Sequence, residues 1–132
     1  VQIGGTKYLK FTSASAITNF LPQGGKAGIL TATATNPTSS AAGVFAGQVL
    51  ALKLSVDFSS AGVTASGLGA KTVASGKLAG STVNQVLALA MTVIGGNTGA
   101  LPSNLTVSEL NAIVDQINNN YDNGTKNLGF LQ

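Results

Sequence analysis

The chain contains no cysteine, histidine, tryptophan or arginine, and each absence excludes a kind of chemistry. Without cysteine no disulfide forms, and the redox compartment cannot be inferred from the sequence. Without histidine or cysteine, the chain lacks the most common general base at neutral pH and the usual base-activated nucleophile pairs. Its glycine pairs match neither of the common nucleotide-binding loop motifs. We therefore expect no cofactor site.

Charge is also scarce, since 8% of the residues are charged against about 25% in ordinary soluble domains. The net charge of +3 comes from lysines that are scattered along the chain. Recognition of nucleic acid usually uses arginine and a dense basic patch, so we expect no nucleic-acid partner. The longest apolar stretch, residues 44–54, is interrupted by Gly47, Gln48 and Lys53. We therefore expect no membrane insertion.

The 132 residues are enough for one domain, which we place at residues 1–132. Residues 1–8 alternate in polarity around Gly4 and Gly5, a pattern that predicts a β-hairpin with a two-residue turn. Thr12 or Ser13 then caps a short helix that Pro22 ends. Weak strand patterns follow at residues 31–35 and 71–75.

Residues 41–58 carry two competing patterns. Their leucines alternate with polar residues as in a strand, whereas their composition favours a helix and places Lys53 four residues before Asp57. Because the run is long for a strand, we predict a largely buried helix. Two further helices begin with capping boxes, one from Thr82 to Gln85 and one from Thr106 to Glu109. The second is predicted to continue to Gly124.

These elements predict an α+β fold, a small, helix-dominated single domain with three to four helices, an N-terminal β-hairpin and one or two short strands. The predicted core comes from the apolar faces of three helices: Phe45, Val49, Leu52, Val56, Val86, Leu87, Ala90, Leu110, Ile113 and Ile117.

Acidic residues offer the remaining route to catalysis, because paired carboxylates hydrolyse glycosides. Glu109 is expected to cap a helix and Asp57 to pair with Lys53, whereas Asp115 and Asp122 are expected on a solvated helix face and at a helix end. Residues 75–77 (SGK) contain a serine and a lysine but no oxyanion-hole motif. We therefore predict no catalytic residues and no enzymatic activity.

Residues 118–125 (NNNYDNGT) are rich in oxygen ligands, as calcium sites are. Asn119, Tyr121 and Asn123 fall at ligand positions, but Phe130 stands where an EF-hand has glutamate. Such residues also end helices and form turns, so we predict no metal site. Glycosylation sequons begin at Asn104 and Asn123, and the sequence leaves their use open.

Three stretches carry a likeness to known proteins: residues 16–22 (AITNFLP), residues 44–58 (VFAGQVLALKLSVDF), and residues 110–118 (LNAIVDQIN) with 122–131 (DNGTKNLGFL). In matching order, they resemble a family of uncharacterised domains in large secreted and cell-surface bacterial proteins. Members of that family often carry an upstream segment with cysteine and tryptophan, so we expect this chain to correspond to the core part. The resemblance implies an extracellular or cell-surface location and assigns no catalytic residue.

The low charge and the resemblance together predict an extracellular structural subunit that forms homo-oligomers, a fibre or a surface layer. A monomeric adhesion module for carbohydrate or a protein partner is the alternative, although carbohydrate sites usually stack sugar rings on aromatic side chains and this chain has few. Either the N-terminal hairpin folds back on its own domain, or the apolar termini provide the assembly interface, because an open strand edge pairs with other chains. Its residues are Val1, Ile3, Tyr8, Phe130 and Leu131.

Overall fold

The structure, a computed structural model, describes residues 1–64, 66–120 and 129–132. The described part of the chain contains a small sheet and four α-helices, which confirms the predicted α+β class. The strands are β1 (Gln2–Gly4), β2 (Tyr8–Lys10) and β3 (Ala34–Thr35), and the helices are α1 (Ala14–Phe20), α2 (Val44–Ser60), α3 (Val83–Ile94) and α4 (Val107–Asn119). Short 3-10 helices at Leu68–Ala70 and Thr98–Ala100 lie between the last three helices.

The N-terminal hairpin is present, but its predicted two-residue turn is wrong. Gly4 pairs with Tyr8 and Ile3 pairs with Leu9, so residues 5–7 form a longer loop. This register places Ile3 and Leu9 side by side on the buried face, and burial of one face fixes the register of a strand pair. The loop is also held from outside, because the Lys7 N–H donates to the Gly95 carbonyl at 3.1 Å.

The strand predicted within residues 31–35 is β3, which pairs in parallel with β2. The strand predicted near residues 71–75 is only partly formed. It contributes isolated bridges between Thr72 and Thr82 and between Val73 and Leu131. The segment is therefore extended and anchors residues 131–132, but it does not join the sheet.

Helix α2 resolves the competing patterns of residues 41–58 in favour of the helix. It begins after Gly43, whose φ of +59° suits glycine and whose added Cβ would meet the Lys26 carbonyl oxygen at 2.3 Å. Seven of its residues from Phe45 to Val56 and also Ser59 are buried, and they lie on more than one side of the helix. A central helix is buried on several sides, so its leucines need not follow the spacing of a helix with one apolar side. Their spacing therefore also fitted a strand.

Both predicted capping boxes are confirmed. The Thr82 hydroxyl accepts from the Gln85 N–H at 3.1 Å, and the Thr106 hydroxyl accepts from the Glu109 N–H at the same distance. Helix α3 ends before Gly95 as predicted. Helix α4 ends at Asn119, short of the predicted Gly124. Residues 121–124 lie outside the described residues. Asn120, which follows α4, is buried, and its side-chain oxygen accepts from the Phe130 and Leu131 N–H groups at 2.9 and 3.3 Å.

Every residue of the predicted core is buried, but the core is not made by three helices alone. The sheet, helix α1 and the connecting segments contribute as well, with the Phe11 and Phe20 rings 5.0 Å apart. These additional buried residues include Ile3, Leu9, Phe11, Phe20, Leu30, Val73 and Leu131. One hydrophobic cluster joins them to the helices.

Candidate functional site

The acidic residues of the described chain are engaged in local contacts. Asp57 accepts a hydrogen bond from the Lys53 ammonium at 2.8 Å, and Asp115 accepts one from the Asn119 amide at 3.1 Å. Glu109 caps α4 through its Oε1 and pairs with Lys77 through its Oε2. Asp122 lies outside the described residues. The structure thus brings none of these described carboxylates into a catalytic pair with another.

Lys77 lies between the Glu109 carboxylate and the Asn104 carbonyl oxygen, at 2.5 and 2.6 Å. Its ammonium, followed by the Thr106 backbone N–H, lowers the pKa of Glu109. Because Lys77 is held on a carboxylate, it is not placed to deprotonate Ser75. Asn104, the first sequon residue, is exposed.

Of the calcium candidate, Asn119 lies within the described residues, whereas Tyr121 and Asn123 do not. Over the described ranges, no group of three or more acidic, histidine or cysteine side chains could hold a metal ion. Over the same ranges, no helix combines the length and apolarity required to cross a membrane.

The predicted terminal interface does not fit the described conformation at two of its positions. Ile3 and Leu131 are 0% and 2% exposed, so both side chains belong to the chain's own core. Val1, Tyr8 and Phe130 are partly exposed. The Val1 ammonium donates to the Phe11 carbonyl at 2.9 Å, which ties the terminus to its own sheet. The hairpin thus packs on its own domain, with Ile3 and Leu9 buried in the core.

Helix α2 presents a different surface, which the sequence analysis did not identify. Successive helical residues are rotated by about 100°, so residues two turns apart lie nearly in line. One line on α2 contains no charged residue and is exposed at Ser55 and Phe58, while its other residues are partly buried or, at Gly47, fully buried. Lys53 and Asp57 lie on another side of the helix. We call this line the α2 face; it consists of Val44, Gly47, Gln48, Ala51, Leu54, Ser55 and Phe58.

The first half of the α2 face forms the floor of a groove of about 240 Å³. Leu21, Pro22 and Gln23 form one wall, and an added Cβ at Gly47 would meet the Gln23 Cβ at 3.1 Å. Gln48 lies on the other side, where its side-chain oxygen accepts from the Asn118 amide at 2.7 Å. The groove is therefore apolar at its centre and has neutral amides along its edges.

The second half of the α2 face ends in an exposed aromatic side chain. Phe58 is 45% exposed, and its carbonyl oxygen accepts from the Val63 N–H at 2.9 Å, which holds the turn after α2. Val63 in that turn is 71% exposed. A half-exposed phenylalanine at the end of an uncharged helix face is a surface suited to contact with protein.

Strand β3 provides a second uncovered surface. The sheet order β1-β2-β3 makes β1 and β3 its edges. Edge β1 is bound to α3, since the Gly4 N–H donates to the Met91 Sδ at 3.4 Å. On β3, the Asn36 N–H points inward to the Lys10 carbonyl at 2.7 Å, so by strand alternation the N–H of exposed Thr35 points outward.

The α2 face could have been found from the sequence. Once Phe45, Val49, Leu52 and Val56 are assigned to the core, helical spacing leaves Ala51, Ser55 and Phe58 on the opposite side without a charge among them. The open edge at β3 could not be found this way, because strand order depends on long-range pairing. Compared with known proteins, the chain matches no family model, no curated protein and no solved structure.

Proposed function

We propose that this chain is an extracellular structural subunit that self-assembles into a fibre or surface layer and performs no catalysis. The observation that carries the proposal is the uncharged α2 face, which ends in the half-exposed Phe58. Exposed helix faces in soluble domains normally carry charged and polar residues. The α2 face has polar residues at Gln48 and Ser55 but no charged one, and a face without charge is more stable when another subunit covers it.

The energetics favour such a contact. Removing apolar surface from water contributes about 25 cal/mol per Å², and a buried phenylalanine is among the largest single contributors to an interface. The few charges of the chain provide little repulsion between copies, whereas surfaces that resist association are rich in charge. Burial of apolar surface and weak charge repulsion thus both favour association between copies.

A fibre or layer needs more than one contact surface on each subunit, because a single two-fold contact closes on itself as a dimer. Strand β3 supplies the second surface in this proposal. It is short, but Thr35 is exposed in the described part of the chain and no charged residue lies within residues 31–35. The proposed extracellular or cell-surface location is supported by the resemblance described above.

The second candidate function is a monomeric adhesion module that binds a carbohydrate or a protein partner. The groove favours it, because Gln23 and Gln48 place neutral amide groups beside an apolar floor. Amides of this kind bind sugar hydroxyls and peptide main chains without a charge.

Sedimentation velocity over a wide concentration range, with negative-stain microscopy of the concentrated sample, tests the proposal. We expect association that grows with concentration and ends in ordered assemblies. Ser55→Lys places a charge in the middle of the α2 face and should suppress that association. Ser60→Lys adds the same charge to another side of the same helix and is the matched control.

A chain that stays monomeric at every concentration would overturn the proposal, and so would a Ser55→Lys variant that assembles like the original. Monomers that bind a glycan array or a cell surface, with binding lost in Gln48→Ala, would support the adhesion module instead.

A further inference from the structure

We propose that two copies of this chain pack their α2 faces together in antiparallel orientation, with a two-fold axis beside Ala51 and Phe58 of each copy in the groove of the other. The partner is thus a second copy of the same chain. This inference rests on the proposed self-association and names the contact by which it begins.

The register follows from the spacing of the residues. Val44, Ala51 and Phe58 lie two turns apart on the same side of α2. Each outer residue is therefore about 10 Å from Ala51 along the helix axis. Reversing a second helix about Ala51 places its Phe58 beside the first copy's Val44, where the groove lies. The two-fold axis at Ala51 therefore brings Phe58 of one copy to the groove beside Val44 of the other.

The groove has the shape and chemistry to accept this side chain. Its floor is made by Val44, Gly47 and Ala51, and its volume of about 240 Å³ is sufficient for one aromatic ring. Among the described residues, none that lines it is charged. Phe58 already has nearly half of its surface in water and needs no rearrangement of the core to reach a neighbour.

Small residues allow the two helices to approach. Ala51 is at the proposed crossing point, and neighbouring Gly47 and Ser55 are also small. Packed helices lie 8–10 Å apart depending on the side chains at the contact, and small residues favour the shorter distance. A charged residue at this crossing would lose its hydration, and the α2 face has none.

The charge distribution along α2 is complementary in the antiparallel arrangement. The first turn of α2 contains no acidic residue and the last turn no basic residue, so side chains of the helix do not neutralise its dipole. Antiparallel packing places the positive N-terminal end of one helix beside the negative C-terminal end of the other. Lys53 and Asp57 are paired with each other at 2.8 Å and lie away from the contact.

The area of the contact predicts its strength. One helix face of this length is about 20 Å long and about 10 Å wide. With the groove wall at Leu21 and Pro22, the contact remains below the roughly 800 Å² per partner that stable complexes bury. We therefore expect a weak dimer, with a dissociation constant in the micromolar range or above.

Cysteine cross-linking tests the geometry directly, since the natural chain contains no cysteine. Ala51→Cys places one thiol at the axis, and under mild oxidation this variant should form a disulfide-linked dimer at least tenfold faster than Ser60→Cys. Ser60 is exposed on another side of α2 and serves as the matched control. In Phe58→Cys the two thiols would be about 20 Å apart in the antiparallel pair, so it should cross-link slowly as well.

A second measurement uses the uncross-linked chain. Phe58→Ser should weaken dimerisation at least tenfold in sedimentation equilibrium, whereas Val63→Ser should leave it unchanged because Val63 lies beyond the paired segment. Circular dichroism should show that both variants keep the fold, since both side chains are exposed.

The outcomes separate this inference from the proposed function. If the chain self-associates while Ala51→Cys links no faster than Ser60→Cys, or while Phe58→Cys links fastest, the antiparallel dimer is wrong and the structural-subunit proposal stands. If the chain shows no self-association at any concentration, both are wrong.

Discussion

Side-chain hydrogen bonds at the ends of segments fix much of this fold. The Glu109 carboxylate closes the capping box of α4 and binds Lys77, so one residue joins the helix start to the loop after residue 75. The buried Asn120 side-chain oxygen receives two N–H groups from residues 130 and 131 and so holds the C-terminal segment against the core. Because the chain has few charged residues, we expect each of these hydrogen bonds to contribute more to holding its segment in place.

The first prediction at this scale concerns pH. Lys77 and the Thr106 N–H lower the pKa of Glu109 in the folded state below its ordinary value. A lowered folded-state pKa stabilises the fold above the unfolded-state pKa, and this contribution is lost as the pH falls through the folded-state pKa. Thermal unfolding of Glu109→Gln should therefore show a lower midpoint than the original chain at pH 7 and a smaller difference at pH 3.

Lys10→Gln removes an exposed lysine for which no ion pair is recorded in the described chain, and it serves as the control. A Glu109→Gln deficit that is the same at both pH values would show that the carboxylate charge does not contribute.

The second prediction concerns packing at Leu110, which is fully buried between α4 and the core. Leu110→Ala should destabilise the chain by about 2–5 kcal/mol, because it removes buried methyl groups and leaves a cavity. Chemical denaturation measures this free energy. Val63→Ala, at a position that is 71% exposed, should change it by less than about 0.5 kcal/mol. An unchanged midpoint in Leu110→Ala would contradict the described packing of α4.

At the scale of elements, α2 is the centre of the fold because it buries residues on several of its sides. The other long helices, α3 and α4, have one apolar side, and each packs that side on α2 and its surroundings. A helix that must contact several neighbours has no single polar face. The side that remains uncovered on α2 is therefore poor in charge, and this gives rise to the candidate interface.

The hairpin docks on the C-terminal end of α3, and this docking is the third prediction. An added Cβ at Gly95 would meet the Gly5 nitrogen at 2.3 Å, so Gly95→Ala should force the hairpin loop away from α3. We expect a loss of about 1–3 kcal/mol in the free energy of unfolding, as for other overpacked sites. Gly24→Ala is the control, because nothing lies within 4 Å of its added Cβ.

Hydrogen exchange of the β1 and β2 amides locates the effect. Faster exchange confined to the hairpin in Gly95→Ala would support the docking, whereas equal stability of Gly95→Ala and Gly24→Ala would contradict it.

At the scale of the whole molecule, the termini are parts of the core rather than free ends. Ile3 lies in β1, and Leu131 forms a bridge with Val73. The fourth prediction follows: deletion of residues 1–5 should lower the unfolding midpoint or abolish folding, because it removes β1 and the buried Ile3. Circular dichroism with thermal unfolding measures the loss. A deleted chain that is folded, monomeric and as stable as the original would show that the N-terminal strand serves assembly instead.

Much of the local structure is determined by the sequence itself. The helix starts at Thr82 and Thr106 could be predicted because a capping box is a contact between residues three positions apart. The Lys53–Asp57 ion pair and the end of α3 before Gly95 also depend on residues that are close in sequence. The ten predicted core positions on the helices were identifiable because helical spacing repeats along the chain.

Tertiary structure alone decided the features that join distant segments. The hairpin register, the docking of Gly95 on Gly5 and the burial of Leu131 depend on residues that are far apart in sequence. The sequence predicted an interface at the apolar termini, because hydrophobicity alone does not determine which surface an apolar residue will cover. Ile3 and Leu131 cover the chain's own core, and a partly exposed apolar surface is instead on α2, because the described helices and sheet leave one side of the central helix incompletely covered.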